Sequence, residues 1–232
     1  MADKRSSQRR GSGAELGPLP AGHHGLSPEQ VAGSQRERLL AGIAQAVAAS
    51  GYRATTITQI VKAASVSSRA FYELFESKEE CFLEAFDVVV AHLEDLVVEA
   101  ARPEPDWPHK VIAALRAALG FFTTEPDLAR LCLIEPVTAT PLTATRFRDV
   151  VVKKSRALKP GRQESAEAAE LPDSTEDSLL GGLIALVSRS ILAGKAEALQ
   201  ALLPDLVDFV LSPYLGPERA RELVAAAAQS RS

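Results

Sequence analysis

The chain is expected to be all-α: an N-terminal three-helix domain containing a helix-turn-helix, followed by a larger helical domain. Three observations predict this. Apolar residues recur at three- and four-residue spacing in segment after segment. No stretch of any length alternates as a half-buried strand would. Residues that start and stop helices punctuate the periodic runs.

With 232 residues, 46% of them hydrophobic, the chain can support a small domain beside a larger one. The expected division is a polar tail over residues 1–26, a helix-turn-helix domain over 27–80, and a ligand-binding and dimerisation domain over 81–232. The tail is rich in Ser, Gly and Pro and holds Lys4, Arg5, Arg9 and Arg10. It reads as a solvated segment, with a basic arm that follows DNA as the functional alternative. His23 and His24 are adjacent but have no further ligands in reach, so no metal and no cofactor is expected.

Ser27-Pro28-Glu29 starts a short lead-in helix, and a second helix runs over residues 34–50 with Leu39, Leu40, Ile43 and Val47 inward. Gly51 ends it. The next stretch, TITQIVKAASVSSRAFYELF over residues 56–75, reads as two short helices and a tight turn. Thr56 and Gln59 form a capping box, Ser65-Val66 is the turn, and Ser67 caps the second helix. Phe71 and Phe75 lie four apart on one buried face, while Ser68, Arg69 and Tyr72 point away. This is a helix-turn-helix pattern, whose second helix can enter a DNA major groove; a plain helical hairpin has the same spacing.

The residues Thr55, Thr56, Ile57, Ile60, Ala63, Val66, Ser67, Phe71, Tyr72, Phe75, Lys78, Glu79 and Glu80 resemble the N-terminal domain of the TetR-type (tetracycline-repressor-like) family of bacterial regulators. The likeness extends from Gly51-Tyr52 to Leu93. Ser65 stands where the family's turn usually has Gly, and Ser68 where Lys or Arg is frequent. The resemblance implies a homodimeric, ligand-responsive repressor of transcription that binds a double-stranded DNA operator; the cysteine usage and the lack of a membrane-spanning run or signal-peptide core lead to the expectation of a cytoplasmic chain. An activator of the same fold, or a dimeric small-molecule-binding protein without regulation, are the alternatives.

The net charge of −4 does not suit a non-specific nucleic-acid binder. Between residues 34 and 72, however, Arg36, Arg38, Arg53, Lys62 and Arg69 face only Glu37, a polarised patch of the kind phosphate contacts need. The expected DNA-binding residues are Thr56, Ser67, Ser68, Arg69, Ala70, Tyr72 and Lys78. Thr56, Tyr72 and Lys78 would hold phosphates, and Ser68, Arg69 and Ala70 would face base edges.

Ser77 and Glu80 open a long helix that should end near Arg102, before Pro103 and Pro105. Helices are then expected over 107–123, 125–134 and 141–158, with a break at Pro136–Pro141 and a mobile polar loop at 159–173. Residues 174–193 form the most apolar helix, closed by Gly194; further helices cover 204–215 and 217–228. The first and second of these last three should make a four-helix dimer interface through Leu179, Leu183, Ile184, Val187, Leu206, Phe209 and Val210.

Aromatic and soft residues at helical spacing suggest a pocket for a small lipophilic effector. The candidates are Trp107, Phe121, Phe122, Cys132 and Phe147, with Arg116, Glu135, Arg146 and Arg189 as its polar groups. Any one of these aromatics reads first as plain core, and each of the four charged residues could equally be surface charge. An enzyme is not expected: His92 and His109 have no carboxylate partner at a fixed spacing, and Gly181-Gly182 reads as close helix packing rather than a phosphate loop. Cys81 and Cys132 read as reduced, semi-buried thiols. No apolar run reaches membrane-spanning length, and the N-terminus has no signal-peptide core.

Overall fold

The computed structural model describes residues 28–229, which hold twelve α-helices and two 3₁₀ segments and no strand. The N-terminal tail, with its basic residues and His23-His24, lies outside the described residues.

Helix α1 (Pro28–Ser50) is continuous, so the expected lead-in helix is simply its first turns. It ends where the Gly51 N–H reaches the Val47 carbonyl at 2.8 Å with φ +77° at the glycine, a conformation that has no steric cost without a Cβ. Helices α2 (Ile57–Ala64) and α3 (Ser68–Leu74) form the helix-turn-helix. Long helix α4 (Lys78–Ala101) follows, opened by the Ser77 hydroxyl accepting from the Glu80 N–H at 3.1 Å. The expected domain boundary at Glu80–Cys81 falls in its first turn, so α4 runs unbroken from one region into the next.

Leu39, Ile43, Ile60, Phe71, Phe75, Phe82 and Phe86 close a dense core beneath the helix-turn-helix, none more than 2% exposed. α1 and α2 approach closely at Gly42, where a Cβ would come within 2.8 Å of the Ile60 carbonyl oxygen.

The second region is built from α5 (Trp107–Thr124), α6 (Pro126–Leu133), α7 (Glu135–Ala139), α8 (Pro141–Ser155), α9 (Ala166–Ala169), α10 (Thr175–Leu192), α11 (Leu203–Leu215) and α12 (Pro217–Gln229). The short α7 replaces the break expected between the two prolines, because Pro136 sits in its first turn, where the missing N–H removes no helical bond. The expected mobile loop at 159–173 is also a correction. It is a 3₁₀ segment (Arg156–Gln163) plus α9, pinned by Arg162, which bonds the Leu171 and Pro172 carbonyls and the Glu176 carboxylate. Glu176 is buried, and the Arg162 guanidinium holds its carboxyl below the usual range. A polar composition looked like a loop because its polar groups are satisfied over long sequence separations.

By length and composition Ala196–Leu215 could cross a membrane, contrary to the expectation. Here it is a 3₁₀ segment leading into α11, with Leu199, Leu203, Leu206, Val207, Val210 and Leu211 in the core. Both cysteines are free and fully buried rather than semi-buried, and burial pushes each thiol up to about 12. Neither is a thiolate at neutral pH.

Candidate DNA-binding surface and ligand cavity

The helix-turn-helix assembles by local chemistry. The Thr56 hydroxyl accepts from the Gln59 N–H at 3.3 Å, and the Gln59 side chain accepts from the Thr56 N–H at 2.7 Å, which is the expected capping box. α2 ends at Ser65 with φ +53°, the sole positive φ outside glycine among the described residues. A serine therefore holds the left-handed position, assisted by Arg38, whose guanidinium donates to the Ser65 carbonyl at 3.4 Å. The Ser67 hydroxyl then accepts from the Ala70 N–H at 3.1 Å and starts α3.

α3 presents Ser68, Arg69 and Tyr72 to solvent, with Tyr72 61% exposed. Thr56 and Ser67 are exposed at the two helix starts. Ala70 is a correction: at 6% exposure it lies inward beside Phe71 and cannot meet a base edge. In a helix this short, Ala70, Phe71 and Leu74 share the single inward face. Arg69 donates to Glu73 at 2.8 Å, an acidic neighbour on the same exposed face that was not anticipated from the sequence.

Lys78 is a second correction of placement. Its ammonium donates to the Tyr52 and Thr55 carbonyls, both at 2.8 Å, and sits 4.2 Å from the centroid of the Tyr52 ring. Two of its three protons therefore clamp the α1–α2 connection onto α4, and burial lowers its pKa. Arg36 and Arg53 are also engaged, with the Glu84 carboxylate and the Thr138 carbonyl. The basic patch is thus smaller in free charge than in composition.

A cavity of about 550 Å³ opens among α4, α5, α6, α8, α10 and α11. Of the expected pocket residues, Trp107, Phe122, Cys132 and Phe147 line it. Arg116, Phe121, Glu135, Arg146 and Arg189 do not. Phe121 packs edge-on against His92. Arg116 reaches the Ala227 carbonyl at 3.4 Å, Arg146 forms a two-point pair with Asp87 on the surface, and Arg189 is exposed.

The polar lining is instead Glu94, Lys110 and Lys154. Lys154 pairs with Glu94 and holds that carboxyl below its usual range. Their signal was present in the sequence. Trp107, Lys110, Val111, Ala114, Leu115, Ala118, Leu119 and Phe122 are one unbroken stripe of α5, and Lys110 is the charge within it. Glu94 interrupts the stripe of α4 and Lys154 that of α8 in the same way. A charge inside an apolar stripe marks the mouth of a cavity as well as an edge of the core.

Glu135 has another place. Only 5% exposed, it accepts from the Tyr52 N–H at 2.8 Å and from Arg130 Nε at 2.9 Å. It ties the end of α6, whose Cys132 and Leu133 line the cavity, to the connection between α1 and α2. Thr140 with Glu79 and Arg146 with Asp87 make further ties from this side to α4.

The expected dimer residues are mostly turned inward. Leu183, Ile184, Val187, Leu206 and Val210 line the cavity, and Leu179 packs with Ala168 and Tyr214. Phe209, 40% exposed, is the member of that set on the outer face. Gly181, Ala185 and Leu192 of α10 are exposed, and Phe209 lies against Gly182, where a Cβ would meet its ring at 2.7 Å. Gly182 is thus the close packing expected of the glycine pair, while Gly181 faces open space.

His109 does have a carboxylate partner: Asp106 caps α5 through the His109 N–H at 3.0 Å and meets the ring Nδ1 at 2.6 Å. The pair serves the start of the helix.

Residues 39–85 match the family described as "Bacterial regulatory proteins, tetR family". Over 74 residues the chain is 35% identical to the uncharacterised HTH-type transcriptional regulator YhgD of Bacillus subtilis (strain 168). That alignment covers 32% of this chain and 39% of YhgD. Among solved structures, the fatty acid degradation regulator FadR from Bacillus halodurans is similar in fold, with TM-score 0.68 and 18% identity over 75% of this chain and 97% of that one. A TetR family transcription regulator from Marinobacter aquaeolei VT8 gives 0.59 and 20%, over 77% and 97% of the two chains. TylP from Streptomyces fradiae gives 0.56 and 20%, over 89% and 95%. At these identities the structures speak for the fold, and the sequence match speaks for the helix-turn-helix. Residues 39–85 thus carry a helix-turn-helix domain of the tetR family of bacterial regulatory proteins, in a chain that spans about two-fifths of the length of the curated relative it matches.

Proposed function

We propose that this chain is a cytoplasmic, homodimeric repressor that binds a pseudo-palindromic double-stranded DNA operator and releases it when a small lipophilic molecule fills the cavity. One observation carries the reading. The exposed α3 face and the apolar cavity share a chain, and α6, a wall of that cavity, leads directly into the Glu135 carboxylate that holds the Tyr52 N–H. Lining that is almost wholly apolar suits a lipophilic occupant. The likeness in fold to a regulator of fatty acid degradation fits it too.

On DNA, Arg69 is the strongest candidate base reader, since a guanidinium can bond a guanine at two points. Ser68 lies beside it. Thr56, Ser67 and Tyr72 would hold phosphates, and Lys78 would add its remaining proton while keeping the domain in shape. Two α3 helices must stand one helical turn of DNA apart, about 34–36 Å, and this requires a dimer. Its interface is assigned to the outer faces of α10 and α11, centred on Phe209, Ala185 and Leu192. These are apolar groups of those helices that the chain does not bury itself.

An occupant that displaces α6 would move the α1–α2 connection through Glu135 and tilt α4 with it. The two α3 helices would then miss successive grooves, and affinity would fall through geometry. The coupling is reciprocal, so operator DNA must weaken ligand binding by the same factor. A gel shift with the chain's own upstream DNA, repeated with a lipophilic library, tests the reading. Retarded complexes that a ligand dissolves support it, and absence of any specific complex ends it. Light scattering tests the dimer: the chain should have twice its monomer mass and Phe209→Glu should halve it.

A further inference from the structure

The form and charge of the cavity select a narrower class of occupant than "lipophilic", an inference that rests on the regulatory reading above. The α4 wall runs from Phe86 to Ala101, about 22 Å at a helical rise of roughly 1.5 Å per residue. A cavity of about 550 Å³ beside a wall of that length has room for one extended hydrocarbon chain.

The unpaired charge lies towards one end. The short connection after Ala101 turns α5 back along α4, which puts Lys110 beside the last turns of α4. Lys154 and Glu94 neutralise each other midway along the α4 wall, and Lys110 has no acidic partner among the described residues. The indole N–H of Trp107, at the same end, is buried without a hydrogen-bond partner. At the other end the lining is Phe86 and Phe122 together with Cys132 and Leu133 of α6. A largely apolar cavity thus runs from an unpaired cation and a buried donor to the helix that leads into Glu135.

We infer that the cavity takes a single-chain amphiphile with an anionic head, the head held by Lys110 and Trp107 and the tail ending against Cys132 and Leu133. Chain length then separates binding from release. A short chain occupies the charged end and leaves α6 where it is. A long one reaches α6 and strains the contact between Glu135 and Tyr52. A free carboxylate and a phosphate monoester share the required head chemistry.

Trp107 is the chain's one tryptophan, so its emission reports occupancy of the charged end directly. The full chain is titrated with hexanoate, decanoate, hexadecanoate, hexadecyl phosphate, hexadecanol and hexadecyltrimethylammonium, and each sample is also assayed for operator binding. Hexadecanoate or hexadecyl phosphate should bind saturably, and which is tighter identifies the source of the head. The quaternary ammonium should bind at least about tenfold more weakly. Decanoate should bind yet release less operator than hexadecanoate at equal occupancy. Lys110→Glu should weaken the hexadecanoate complex about tenfold and leave hexadecanol unchanged.

Equal binding of anionic and cationic heads, or an unchanged hexadecanoate affinity in Lys110→Glu, would overturn the assignment of the head. Equal release at equal occupancy by decanoate and hexadecanoate would overturn the role of chain length. If no amphiphile bound but another compound released the operator, this ligand class would fail and the repressor mechanism would stand. Tight hexadecanoate binding without operator release would keep the ligand class and remove the switch.

Discussion

The helix-turn-helix region and the cavity region use the same apolar spacing and end up in opposite states. Under α2 and α3 the stripes meet and close, and Phe71, Phe75 and Phe82 are at most 2% exposed. Among α4, α5 and α8 equally regular stripes face one another and leave about 550 Å³ between them. Helical spacing identifies the face that looks inward. It does not identify whether protein fills the space behind that face. Length and anchoring make the difference. Short helices on a tight turn, with Gly42 allowing close approach, collapse onto each other. Long helices, with the Lys154–Glu94 pair set between α8 and α4 and the pinned 156–169 segment beside them, do not.

The sharpest way to break the comparison is to change packing in each region and compare the results. Phe71→Ala should destabilise the chain by about 3–5 kcal/mol in urea unfolding, because the site is already full and cannot collapse. Ala118→Leu, which adds volume on the cavity wall, should cost less than about 1.5 kcal/mol and keep operator binding while blocking release by ligand. A large loss in both would mean that the cavity region is as tightly packed as the helix-turn-helix.

Glu135 joins the two regions, and removing it should separate them. Glu135→Ala strands the buried Tyr52 N–H and should cost about 1–3 kcal/mol of stability. Glu135→Gln keeps an acceptor for Tyr52 but loses the charge facing Arg130, so it should fold while showing weaker coupling between ligand and operator. Binding of each partner alone, compared with binding of both, measures that coupling. An unchanged coupling factor would route the signal elsewhere.

A smaller effect is expected on the exposed face. Arg69→Ala should weaken operator binding at least about fivefold and relax preference at one position per half-site, with stability unchanged because the side chain is 89% exposed. Glu73→Ala frees Arg69 and should move affinity the other way. Gel shifts on operators altered one base at a time read both.

The smallest effect tests how complete the agreement between turn and sequence is. Ser65→Gly should raise stability by about 0.5–1 kcal/mol, since glycine holds φ +53° without Cβ strain and the gain outweighs its greater freedom when unfolded. Thermal unfolding measures it, and a lower midpoint would mean that contacts of the serine matter more than its strain.

What the amino-acid order determined by itself is the local part of the protein. The caps at Thr56, Ser67 and Ser77, the stop at Gly51, the turn at Ser65-Val66 and the outward Ser68, Arg69 and Tyr72 follow from chemistry within four residues of each other. Tertiary structure decided the rest. Glu135 reaches Tyr52 over 83 residues, Lys78 turns back to Tyr52 over 26, and the polar segment after Lys159 is ordered by Glu176. No short window contains such partners. The inner faces of α10 and α11 line the cavity, and a broadly apolar helix can be buried by its own chain or by a second one. Spacing is the same in both cases, and only the packed neighbours differ.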